Sequence, residues 1–358
     1  MGMKSAMDGM DPMNIRHPSH GKLLALLLAA LLLCGCSGQT SAPEPTSPPV
    51  KRSGVGFYFD TVVTVTLYGG EESLLDEIWA KCARYENLLS KTIAGSDVDR
   101  INKAGGEPVQ VDPETWVILQ RARGISRITG GAFAVTIAPM TAMWDFTGGT
   151  NRMPTEEQRL AALPLVNDEA IILGENNTVT LPAGMEIDLG GIAKGYIADQ
   201  VAKMVQGRVS GAVLSLGGNV YVLGAKPDGS TYNVGIQDPD GGSGAVLAVV
   251  NTTDRSVVTS GIYERQFTLD GVTYHHILDP VDGLPSRSDL SSATIVSQSS
   301  MDADALATAC IVLGREKALA MMEEQGIEGV LITRDRQVYK HQISDTFQLN
   351  MLVDIPVQ

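Results

Sequence analysis

Asp304 and Thr308 lie four residues apart in Met301–Leu313, a segment with helical spacing, so they share one face of it. A carboxylate and a hydroxyl oxygen side by side suit Mg2+, a hard ion that keeps waters and shares phosphate oxygens. An acidic first turn is also ordinary helix chemistry, and Asp302 reads as the N-cap. His275 and His276 stand together in Thr273–Leu278, which reads as a strand entering Asp279–Pro280. Side chains alternate along a strand, so His276 shares a face with Tyr274, and His275 with Asp279. A histidine at that point suits a general base, and a hydrogen-bonded structural histidine is the plain alternative. A third group is Asp188, Gly190, Gly191 and Lys194. Two glycines let the backbone approach a ligand, and a helix that starts there aims its N–H groups and positive dipole end at an anion. Lys194 opposes that dipole, and a phosphate beside it would resolve the conflict. An ordinary corner with a solvated lysine gives the same pattern.

These residues need elements to hold them. Met185–Gln206 reads as a strand, a turn at Gly190–Gly191 and then a helix, with Ala193, Ile197, Val201 and Met204 on its apolar face. Gly56–Tyr68 alternates and reads as one strand. Glu71–Ser90 reads as a helix that buries Leu74, Leu75, Ile78, Cys82, Tyr85 and Leu89, and Pro113–Thr129 as a second helix. Ala170–Leu173 and Thr178–Leu181 form a hairpin around Glu175-Asn176-Asn177. Ala212–Leu216 is a buried strand ending at Gly217-Gly218-Asn219, a tight turn or a second close approach to a ligand. Tyr232–Gln237, Val246–Val250, Val257–Ser260 and Ala293–Ser297 are further strands. Many strands with few helices between them predict an α+β fold with mixed, largely antiparallel sheets and packed helices.

The ends and the charge bound the function. Lys4, Arg16 and Lys22 precede the apolar run Leu23–Leu33, which is too short to span a bilayer comfortably. The run ends in Leu33-Cys34-Gly35-Cys36, which resembles a bacterial lipobox with cleavage before Cys36 and lipid on its thiol. A plain secretory signal and an uncleaved anchor are the alternatives. Ser37–Pro49 is the Ser/Thr/Pro linker that a tethered domain needs. The 358 residues carry a formal charge of −14. Losing residues 1–35 removes three cations and two anions, which leaves −15. That excess argues against a nucleic-acid partner and makes any phosphate site a local construction. Cys82 and Cys310 remain after the leader and read as buried free thiols.

The stretch DLGGIAKGYIAD at 188–199 resembles the signature of the ApbE family, the FAD:protein FMN transferases. SLGGN at Ser215–Asn219, HHILDP at His275–Pro280 and DADALAT at Asp302–Thr308 follow in the family's order. The resemblance runs over roughly residues 55 to 350. It implies an ApbE-like catalytic domain at 55–358, and the lipobox sets a leader at 1–35 and lipidated Cys36 with a linker at 36–54 ahead of it. It implies transfer of FMN from FAD to a threonine of another protein, with a phosphoester formed and AMP released. It implies Mg2+ on Asp304, Thr308 and the Gly191 carbonyl, and His276 as the group that takes or positions the threonine proton. Asp188, Lys194, Leu278 and Asp279 are then flavin-nucleotide contacts. The acceptor is expected to be an extracytoplasmic redox protein, and the enzyme to be lipid-anchored on the outer face of the cell membrane. Relatives often carry an aromatic where this chain has Thr92, and Met-Gly-Thr where it has Phe59-Asp60-Thr61, departures that bear on contacts to the flavin ring. An FAD pyrophosphatase giving free FMN and AMP, a flavin-storing lipoprotein and a solute-binding lipoprotein are the rival readings. The last would show two similar lobes, and no such internal repeat is present.

Overall fold

Eight strands pair in the order Lys51–Tyr58, Thr61–Tyr68, Gly211–Leu216, Asn219–Gly224, Arg255–Gly261, Leu290–Ser297, Glu328–Thr333 and Val338–His341. Every neighbouring pair is antiparallel. This computed structural model describes residues 49–358 apart from Thr147 and Ser243. The leader, Cys36 and most of the linker therefore lie outside the described residues.

Helices cover one face of the sheet and a three-stranded sheet covers the other. Alternate residues of the same strands feed the two layers. Leu216, Val258 and Ile295 join the main core beneath the helices, while Val222, Val257 and Val296 join a second core. That second core is closed by Tyr232–Gln237, Val246–Thr252 and Gln348–Met351. Leu290–Ser297 is covered on both faces, so it is buried almost throughout rather than alternating. Ser300–Leu313 packs over the sheet, and apolar residues surround it on nearly every side, as a core helix requires.

Local chemistry explains the helix starts. Asp112 accepts the Glu114 N–H ahead of Pro113, and Ser96 caps Asp97–Lys103. Two sequence expectations need correction here. Gly56–Tyr68 is not one strand. It is the tip of a hairpin that turns at Phe59 and Asp60, both with positive φ (56° and 55°). The ordered domain also begins before residue 55, because Lys51–Tyr58 is the sheet's edge strand. Its glycines at 54 and 56 give room to Trp79, which stacks on Tyr58 at 6.0 Å between ring centroids. Cys82 and Cys310 are buried and unpaired.

Candidate active site

Met185–Leu189 runs into the site without joining a ladder, contrary to the strand expectation. Its backbone is satisfied by other means. The Asn102 carboxamide accepts the Ile187 N–H at 2.8 Å and donates to the Ile187 carbonyl at 3.0 Å, and the Asp188 N–H reaches the Val135 carbonyl at 2.8 Å. The Asp188 carboxylate ties the next turn: Oδ1 accepts the Gly190 N–H at 2.8 Å, and Oδ2 pairs with Lys91 Nζ at 2.7 Å. Gly191 presses on Phe133, whose ring would stand 3.2 Å from an added Cβ. The helix Ala193–Val205 then begins, with Ile192 supplying no side-chain cap. The first-turn N–H of Gly195 donates to Asp304 Oδ2 at 3.0 Å. The anion expected at this helix end is thus a carboxylate of the chain itself. Lys194 folds back to the Gly190 carbonyl at 2.6 Å, with its Nζ 3.8 Å from the same Asp304 oxygen.

Asp304 stands on Ser300–Leu313. The cap of that helix is Ser299, which accepts the Asp302 N–H, and not Asp302 as its sequence position suggests. Asp302 instead makes a two-pronged pair with Arg121, at 2.6 and 2.8 Å. Asp199 of the central helix accepts the N–H groups of Ser300 at 2.7 Å and Met301 at 3.0 Å, which pins the two helices together.

Asp304 is 4% exposed, and among the described residues its Oδ1 has no hydrogen-bond partner. Thr308 Oγ1 lies 3.3 Å from both the Asp304 carbonyl and Ser260 Oγ, and 4.0 Å from where a Cβ on Gly191 would sit. The Gly191 carbonyl accepts no hydrogen bond among the described residues. A carboxylate, a hydroxyl and an unbonded carbonyl thus belong to neighbouring residues of one corner, and this donor set fits a hard divalent cation that keeps waters. No group of three or more His, Cys, Asp or Glu side chains among the described residues is placed to hold a metal.

The strand expected at Thr273–Leu278 ends earlier, as Val272–His275 paired with Gln266–Leu269. His275 is 4% exposed, and its Nε2 meets the Ser286 carbonyl at 2.9 Å, which makes it structural. His276 follows the strand, with Nδ1 3.3 Å from the Arg265 carbonyl. The tautomer that donates from Nδ1 leaves Nε2 with its lone pair. Burial lowers the His276 pKa to about 4, with Arg265, His275 and Lys194 adding to the shift, so the ring is neutral at neutral pH. Burial also pushes Glu264 above the ordinary carboxylate range. Lys194 and Arg265 oppose that shift, and Asp304 reinforces it.

The structure brings Gly191, Lys194, Asp304 and Thr308 together, with Asp188 behind the turn, and His276 stands near enough to Lys194 for that charge to act on its ring. Leu278 and Asp279 have local partners of their own. Leu278 packs with Met140, Trp144 and Phe267 in a satellite core, and Asp279 Oδ1 accepts the Val281 N–H at 2.9 Å to form a turn. Sequence reasoning missed Lys91, Ser260 and Glu264. Lys91 adjoins Thr92, but nothing local signals its pairing with Asp188.

Burial depresses both strand-end histidines, His275 also to about 4. Their ring C–H resonances are expected to titrate near pH 4 in the free protein rather than near 6.5. The unfolded chain takes up these protons near 6.5 and the folded chain only near 4. Stability is therefore complete above that window and falls as pH drops through it. A denaturation midpoint that does not drop on acidification from pH 7 to 5, with ring titrations near 6.5, would refute this.

Oxygen donors that fit a hard cation, with a lysine beside them, suit chemistry on phosphates. The model of the ApbE family matches residues 59–331. An FAD:protein FMN transferase of Treponema pallidum (strain Nichols) is 37% identical over 86% of this chain and 90% of its own length. One of Klebsiella pneumoniae (strain 342) is 35% identical over 77% and 87%. The crystal structure of the ApbE protein of Thermotoga maritima superposes with a TM-score of 0.76 at 30% identity, covering 82% of this chain and 97% of that one. The flavin transferase ApbE of Vibrio cholerae does so at 0.74 and 26%, covering 85% and 97%. The chain belongs to the ApbE family.

Proposed function

We propose that this protein transfers FMN from FAD to a threonine of an acceptor protein, as a Mg2+-dependent enzyme held at the outer face of the cell membrane by lipid on Cys36. The observation that carries the reaction class is its likeness to curated FAD:protein FMN transferases over nine-tenths of the length of the Treponema relative. The site geometry supports the assignment of roles. Asp304, Thr308 and the Gly191 carbonyl would hold Mg2+, which when bound supplies positive charge against the diphosphate and orients the leaving group. His276 Nε2 takes the proton of the attacking threonine hydroxyl. The threonine oxygen attacks the FMN-side phosphorus and stays on it as the phosphoester, the bond from that phosphorus to the bridging oxygen breaks, and AMP leaves carrying the bridging oxygen. Lys194, already beside Asp304, faces the developing phosphate charge. The Gly195 N–H is committed to Asp304, so that end of the helix stabilises the ligand carboxylate. The lipid anchor and the extracytoplasmic acceptor rest on the sequence of residues 1–49.

The test is mass spectrometry of the chain from residue 37 onward with FAD, Mg2+ and a threonine-bearing acceptor domain of an extracytoplasmic redox protein. The expected result is one FMN added to the acceptor with AMP released, and none in the presence of EDTA. Free FMN and AMP with an unmodified acceptor would replace the reading by a pyrophosphatase. Intact FAD would replace it by a flavin-binding protein.

A further inference from the structure

Asn219 follows the Gly217–Gly218 turn and opens the strand Asn219–Gly224. It is 2% exposed, and its amide nitrogen is buried with no hydrogen-bond partner among the described residues. Native interiors seldom leave such a donor unpaired, and one that stays so calls for a function or an absent partner.

Register shows where it points. Asn219 lies opposite Leu216 on one side and Val258 on the other. Both belong to the core beneath the helices, and directly opposed residues share a face, so Asn219 faces the helix layer. The next residue, Val220, packs into the core on the opposite face. Two contacts set Ser300–Leu313 over the strand Arg255–Gly261: Ser256 Oγ to Ser300 Oγ at 2.8 Å, and Ser260 Oγ to Thr308 Oγ1 at 3.3 Å. Four strand residues at about 3.3 Å each and eight helical residues at about 1.5 Å each cover nearly the same length. Val258, midway along the strand span, therefore underlies residue 304, midway along the helical one. Asn219, beside Val258, forms the floor of the seam where the central helix meets Asp304. The floor carries an unpaired donor, and Asp304 Oδ1 is an unpaired acceptor above it.

We propose that Asn219 is a positioning residue of the cation site: its amide donates to the oxygen shell of the ion held by Asp304 and Thr308, either to Asp304 itself or to a water on the ion. This rests on the proposal that those residues bind a divalent cation. Such outer hydrogen bonds fix the orientation of a ligand, and losing one weakens metal affinity about 10–100-fold. A carboxamide turned end for end would present its oxygen instead and act as a direct ligand, so the two roles need separating.

Mn2+ titration of the full chain, with free ion counted by electron paramagnetic resonance, separates them. Asn219→Ala is expected to bind Mn2+ about 10–100-fold more weakly than wild type, with an unchanged melting temperature in the absence of metal. Asn219→Asp is expected to bind weakly as well, since it has no proton to donate and adds a like charge beside Asp304. Wild-type affinity in Asn219→Ala would overturn the inference, and tighter binding in Asn219→Asp would make the residue a ligand and not a donor. Absence of Mn2+ binding by the wild type would overturn the cation reading itself. Should the variants fail to fold, the Asn219 side-chain amide signals of 15N-labelled wild type are the second measurement. They are expected to shift and gain protection from exchange on addition of Mg2+, and signals unmoved by a bound ion would overturn the inference.

Discussion

Replacing His276 with alanine is expected to lower FMN transfer about 10²–10⁴-fold while FAD still binds, the range a positioned general base contributes. The ring is neutral because burial holds its pKa near 4, and its Nδ1 faces the Arg265 carbonyl, so Nε2 is free to receive a proton. Two neighbouring bases are otherwise committed. His275 spends its Nε2 on the Ser286 carbonyl inside the core, and Lys194 is engaged with Gly190 and Asp304. His276→Gln sharpens the test, because an amide can still donate to Arg265 but cannot carry the threonine proton. Both variants should show FAD affinity near that of wild type by flavin fluorescence, with transfer lost in single-turnover mass spectrometry. Transfer at the wild-type rate in either variant would remove His276 as the base. The acid limb of kcat/KM in the wild type should correspondingly lie closer to pH 4 than to 6.5.

The strands and helices that carry these residues were largely legible in the sequence, since their signals are local. Alternation in Tyr232–Gln237 and helical spacing in Pro113–Ile128 are written in consecutive residues. Failures arise where distant groups satisfy the backbone. Met185–Leu189 has strand-like composition, yet its hydrogen bonds go to Asn102, a side chain 85 positions away from Ile187. The hairpin at Phe59–Asp60 is hidden because neither residue is a glycine or asparagine that would mark positive φ. The same holds for the site. Asp304 and Thr308 announce themselves by spacing, but the pairing of Lys91 with Asp188, or of Arg121 with Asp302, depends on how separate elements dock. Asn219 is the extreme case. In sequence it closes a glycine turn, and only the register beneath Ser300–Leu313 shows what lies above it.

Gly195→Ala is expected to abolish cation binding and transfer, although Gly195 does no chemistry. An added Cβ would stand 2.5 Å from the carbonyl carbon of Ser300 and 2.7 Å from Cα of Met301. Both are backbone atoms at the start of the helix that carries Asp304, so no side chain can swing aside, and the helices must separate. Separation pulls the Gly195 N–H from Asp304 and strains the Asp199 contacts to Ser300 and Met301. Overpacking of this kind costs about 1–3 kcal/mol, which should appear as a lowered melting temperature. The larger effect is local, because Asp304 and Thr308 move as one body away from Gly191, and the corner proposed to hold the cation opens. Gly124→Ala is the control. It sits within Pro113–Ile128, its nearest neighbour is the far end of Arg121 at 3.9 Å, and it should be neutral or stabilising by about 0.4–1 kcal/mol. If Gly195→Ala kept Mn2+ affinity and transfer at wild-type levels, the close approach of the two helices would not be what builds the site.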